Sequence, residues 1–130
     1  MQGTMQNAQT FENVIIPDDS YNVTQKANKG VKPDPKTGIP EKVVVEFEIE
    51  EGDSKGKIIS SVWSNKMTKN TKLGAYVTLA EGRELKPGET VDFDKYNGMR
   101  FRVATITIEK ADNTGTMRKR SIVEKILRKL

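Results

Sequence analysis

The residues best able to do chemistry in this chain are cations set among apolar side chains. Arg100 and Arg102 alternate with Phe101 and Val103, and a spacing of two places both guanidinium groups on one face of an extended strand and both apolar groups on the other. Arg118, Lys119 and Arg120 lie just beyond the turn sequence Asp112-Asn113-Thr114-Gly115. Hairpin pairing would bring the two basic sets onto neighbouring strands, where like charges repel unless an anion lies between them. Lys55, Lys57, Lys66, Lys69 and Lys72 flank Trp63, the single tryptophan. Cations along a path together with aromatic faces are what a single-stranded nucleic acid requires, phosphates meeting the first and bases the second. Trp63 also fits an interior position, and Tyr96 fits a role in packing a turn, so both rings carry two readings.

Catalysis is poorly provided for. The sequence has neither histidine nor cysteine. That removes the commonest general base and metal ligand along with thiol nucleophiles and thiolate zinc sites. A Ser or Thr nucleophile would need Lys activation, and no spacing marks one. Glu46, Glu48, Glu50, Glu51 and Asp53 form an acidic run. Its alternation with Phe47 and Ile49 is that of a solvated strand face running into a turn. Gly52-Asp53-Ser54-Lys55-Gly56 has neither the length nor the order of a phosphate-cradling loop. The expectation is a non-enzymatic protein without a cofactor or metal.

Charge is unevenly placed. Residues 1–94 hold 12 Lys/Arg against 15 Asp/Glu, a net of −3, whereas residues 95–130 hold 10 against 3, a net of +7. Such asymmetry points to a polyanion-facing surface in the last quarter of the chain, or to a solvated basic face. No apolar run approaches the roughly 18 residues of a membrane span, and the N-terminus lacks the apolar core of a signal peptide. The expectation is a cytoplasmic protein with no membrane contact.

Positioning these residues falls to short strands. Residues 1–10 read as a flexible N-terminus and residues 11–130 as one domain. Phe11, Val14, Ile15 and Ile16 form an apolar cluster before the turn at Pro17-Asp18-Asp19-Ser20, and Tyr21 to Thr24 begins a strand. Residues 28–41, with three prolines and two glycines, read as a long hairpin loop. Lys42 to Ile49 is the clearest strand, with Val43, Val45, Phe47 and Ile49 on one face. Lys57 to Ser64 follows, with Ile59, Ser61 and Trp63 sharing a face. Leu73, Tyr76, Val77 and Ala80 have helical spacing, with Gly82 placed to stop the helix. Met99 to Lys110 reads as a strand whose inner face switches from Phe101 and Val103 to Ile106 and Ile108, which requires a bulge. From Met117 the chain reads as a strand to about Ile126. Ile122, Val123, Ile126, Leu127 and Leu130 also fit a helix, for which Ser121 and Glu124 would form a capping box. Five strand candidates with one short helix between strands 3 and 4 match a mainly β, five-stranded OB-like antiparallel β-barrel.

Several segments resemble small phage and prophage proteins regarded as OB-fold single-stranded DNA-binding, replication-associated proteins. They are Phe47-Glu48-Ile49, Glu51-Gly52-x-x-Lys55-Gly56-Lys57, Lys72-Leu73, Gly82 to Glu89, Val91-Asp92-Phe93-Asp94, and Gly98-x-Arg100-Phe101-x-Val103. Ile16 to Val23 resembles the opening strand of that group, with Ser20 where Gly is more usual. The resemblance implies low-specificity binding of single-stranded DNA, or of RNA, in the cytoplasm of a phage-infected host cell, in support of replication or recombination, with a homo-oligomer as one possible state. The residues expected at the nucleic acid are Lys57, Trp63, Lys66, Tyr96, Arg100, Arg102, Arg118, Lys119 and Arg120. The alternative is a structural or adaptor protein of a phage complex that uses the same domain for protein contacts.

Overall fold

The computed structural model describes residues 14–130; the segment 1–10 and Phe11 lie outside them. The elements are β1 (Ser20–Pro33), β2 (Pro40–Ile49), β3 (Ile58–Ser64), helix α1 (Lys72–Glu81), β4 (Arg100–Ala111) and β5 (Met117–Lys129), with 3-10 turns at Gly52–Ser54 and Phe93–Tyr96. The strands form one closed sheet in the order β1-β2-β3-β5-β4, with β4 returning to β1. The pairings are antiparallel except for β3 with β5, which is parallel and rests on the single pair Ser60 and Ile122. The sheet is therefore closed by a thin seam, and α1 packs against both strands that flank it.

β2 follows its sequence pattern. Val43, Val45, Phe47 and Ile49 face the interior, and strict alternation leaves no other register with an apolar inner face. The neighbouring strands depart from expectation in informative ways. β1 continues to Pro33, so the expected long loop shrinks to the turn 34–39 between paired Pro33 and Pro40. The prolines close the strands at the hairpin end, where a missing N–H costs little. Gly30 is required there, because a Cβ at that position would lie 2.2 Å from the ring of Pro40.

β4 does not switch face. Phe101, Val103 and Thr105 all point inward. Thr105 escapes an apolar pattern search because it is polar, yet its hydroxyl is tied to the 17–19 turn, donating to Pro17 O or Asp19 O and accepting from Asp19 N. The bulges lie instead on β5, where pairing skips Leu127 and Glu124. Each extra residue shifts the inward phase, so Val123 and Ile126 both turn toward the core at a spacing of three. That spacing imitates a helix. The segment is strand through Lys129, and the helical reading is wrong.

Helix α1 carries Leu73, Tyr76, Val77 and Ala80 on its buried face. The Thr71 hydroxyl accepts from Gly74 N at 3.0 Å, and Gly82 ends the helix with φ 73°. Gly74 is a poor helix former, but the 68–71 turn approaches it closely: a Cβ would lie 1.7 Å from the carbonyl oxygen of Thr68. Gly74→Ala, which raises intrinsic helix propensity by about 1 kcal/mol, is expected to lower net stability by about 1–3 kcal/mol through overpacking. Urea unfolding checks the sign; a stabilised variant would show that the turn is free to move away.

Candidate nucleic-acid interface

The longest hairpin, β4 with β5, extends past the part of β4 that pairs with β1. The register places Ile106 opposite Ile122, Ile108 opposite Arg120, Glu109 opposite Lys119 and Lys110 opposite Arg118. This basic arm ends in a turn organised by Asp112. The carboxylate accepts from Thr114 N, the Thr114 hydroxyl and Thr116 N at 2.6–3.1 Å, and from Arg118 Nε at 2.6 Å. The Arg118 guanidinium and these donors hold the Asp112 carboxyl far below the usual carboxylate range. Among the described residues, Lys110, Lys119, Arg120, Lys125 and Arg128 take part in no ion pair.

Arg100 and Arg102 are placed differently. Arg100 clasps Glu50 through Nε and Nη2 at 2.7–3.0 Å. Arg102 donates to Glu51 Oε1 at 3.0 Å, Asn22 Oδ1 at 3.0 Å and Ser20 Oγ at 2.9 Å. Both therefore brace β4 and β1 against the end of β2. They do not neighbour Arg118–Arg120 as the hairpin argument expects; β4 pairs Arg102 with Arg128, several residues down the strand. Lys57 and Lys66 are exposed at opposite ends of β3, roughly 30 Å apart along an extended chain, so one short phosphate path does not join them.

Neither expected aromatic is a surface platform. Tyr96 is fully buried, and its hydroxyl donates to Glu81 at 2.6 Å. Trp63 is 5% exposed and packs on Tyr76 with ring centroids 5.2 Å apart. The inward phase of β3, already visible in Ile59 and Ser61, decides this for Trp63. The 3-10 turn at 93–96 decides it for Tyr96.

The outer face offers aliphatic side chains instead. Val44 pairs with Val62, Ser60 with Ile122, and Ile122 with Ile106, and all five are half-buried. With Ile108 they form a row across four strands. Lys42 flanks it on β2, and Lys110, Arg118 and Arg120 flank it on the arm. Sequence reading missed Lys110, Lys125 and Arg128. The signal was the strand parity of the β4–β5 hairpin, which the two bulges obscure.

Among the described residues, a cleft of about 350 Å³ opens at the β3–β5 seam, beside this face, and another of about 500 Å³ lies away from it between the 67–69 and 84–89 segments. Among the described residues, no group of three or more acidic side chains is arranged to hold a metal ion. Nor is any helix long and apolar enough to cross a membrane. Comparison of the chain with models of known families, with curated proteins and with solved structures finds no match.

Among the described residues, four carboxylates are held below their ordinary range. Hydrogen bonds from Arg100 lower Glu50, and those from Tyr96 and Lys95 lower Glu81. Arg83 brings Glu89 to about 2, and Asp112 is lowered as described. A carboxyl depressed by folding stabilises the fold above its unfolded value, near 4, and that contribution is lost as pH falls through the folded value. The urea midpoint should be level above about pH 5 and fall steadily below about pH 4. Asp112→Asn should be less stable at neutral pH and lose part of that acid dependence. A parent midpoint level down to pH 3 would contradict the network.

Proposed function

We propose that this chain binds single-stranded nucleic acid, DNA foremost, on an OB-like closed sheet. The observation that carries the proposal is the β4–β5 arm, where Lys110 lies directly opposite Arg118, Arg120 follows on the same face, and neither Lys110 nor Arg120 forms an ion pair with a described residue. Like charges on adjacent strands cost stability, and an anion between them turns that cost into attraction. The order of strands, with the helix between β3 and β4, supports the OB-like reading, and in such folds the face of strands 2 and 3 and the loops joining strands 1–2 and 4–5 engage oligonucleotides. Here those loops are the 34–39 turn with Lys36 and the 112–116 turn at the tip of the arm.

In this reading, phosphates run along Lys110 and Arg120, with Arg118 between them exchanging Asp112 for a phosphate. Bases lie over the aliphatic row of Val44, Val62, Ile122 and Ile106. Phosphate and aliphatic contacts along this face read no base edge, so they give little sequence preference. Arg100 and Arg102 serve the fold. Support of phage replication or recombination is the setting that the sequence resemblance implies.

The aliphatic row also favours a second reading, an adaptor that docks a protein on this face. Ionic strength separates the two. Each phosphate neutralised on a single strand contributes roughly 0.7 to the slope of log affinity against log salt, whereas an apolar protein interface has little such slope. Replacing both Lys110 and Arg120 with Ala should weaken oligo-dT binding and reduce that slope by about 1.4. Arg100→Ala should leave it nearly unchanged. A double variant with the parent's slope would remove the arm from the interface and favour the adaptor.

A further inference from the structure

The seam between β3 and β5 is the weakest join in the sheet. A single parallel pair holds it, and beyond Ser60 and Ile122 the two strands diverge under the first turn of α1. The cleft that results holds about 350 Å³. That is the lower end of the range for small-ligand sites, roughly 300–1,000 Å³. Its walls include Val62, Trp63 and Ile122, and its polar lining includes Thr71, Lys72 and Glu124. Apolar walls with donors and acceptors among them suit a flat heteroaromatic ring with a polar edge. Two of the walls, Val62 and Ile122, also belong to the outer aliphatic row, so the cleft opens onto the face proposed for the strand.

We infer that the β3–β5 cleft receives one nucleobase of the bound strand, flanked by Val62, Trp63 and Ile122 and met at its edge by Lys72 and Glu124. This rests on the reading of the outer face as a single-strand site and deepens it. It gives the strand one flanked base contact in a molecule whose large aromatic rings are otherwise interior. The base in the cleft is unpaired by necessity, because a base within a duplex cannot leave its partner without loss of pairing and stacking.

Trp63 is the only tryptophan and lines the cleft, so a base entering the cleft is read by its emission with no second indole to confuse it. Oligo-dT is titrated into the full chain while the anisotropy of a label on the oligonucleotide and the tryptophan emission are followed together. The emission should change and saturate with the anisotropy. Ile122→Phe supplies the second arm. On an open face, a phenyl ring would add a stacking surface and raise affinity. At the mouth of an occupied cleft it fills the space, and affinity should fall about tenfold with the salt slope unchanged, within the range for loss of one base contact. Saturating anisotropy with silent tryptophan emission overturns the cleft while leaving the outer-face reading in place, and so does tighter binding by Ile122→Phe. Absence of any anisotropy change overturns both. The parent titration decides the matter even where the variant does not fold.

Discussion

The buried amide of Gln25 is the constraint on which the rest of the structure depends. It is fully buried, and a buried amide without partners costs several kcal/mol by transfer estimates. Its Nε2 donates to Phe93 O at 3.2 Å and Asn97 Oδ1 at 3.0 Å, and its Oε1 accepts from the Tyr76 hydroxyl. Its backbone adds a bond to Met99 O at 2.9 Å and one from Gly98 N at 2.8 Å. One residue of β1 thus ties α1, the 93–97 turn and the entry to β4. Tyr76 completes the join, its ring lying against Trp63, Phe93, Tyr96 and Phe101 at 5.2–6.4 Å between centroids. Burial pushes its phenol well above the usual value, so it remains a neutral donor to Gln25.

Two features of the proposed interface follow from that join. With α1 fixed over the end of the sheet, β3 and β5 flank a helix and cannot zip together, which leaves the seam open above Ser60. Lys129 reinforces the arrangement, its ammonium donating to Ala80 O at 3.1 Å, where a cation meets the negative end of the helix dipole. With the start of β4 fixed beside β1, Arg100 and Arg102 fall within reach of Glu50 and Glu51. Farther along the same hairpin, Lys110 and Arg120 form no ion pair with a described residue. The hairpin therefore uses Arg100 and Arg102 to brace the sheet and leaves Lys110 and Arg120 near its far end without ion pairs.

How far the sequence discloses this depends on the range of the interaction concerned. The β2 pattern and the helix with its Gly82 stop are local, and both are legible. β5 is not, because two bulges convert a period of two into a spacing of three that looks helical. Thr105 hides the phase of β4, since its inward hydroxyl is satisfied by a turn some 86 residues away in sequence. The clustering of cations is visible in the chain, but their neutralisation is not: Glu50 and Arg100 meet across 50 residues. Trp63 shows the same limit. Composition marks it as the obvious stacking residue, while the parity of Ile59, Ser61 and Trp63 already directs it inward.

The central claim is that the arm and the outer face accept an unpaired strand and not merely a polyanion. Competition at moderate salt between a mixed-sequence single strand and a duplex of equal length, each displacing the same labelled oligonucleotide, tests it directly. The single strand should compete at lower concentration, because only its bases can reach the aliphatic row and the seam. Equal or better competition by the duplex would contradict it, leaving charge attraction as the whole of the binding.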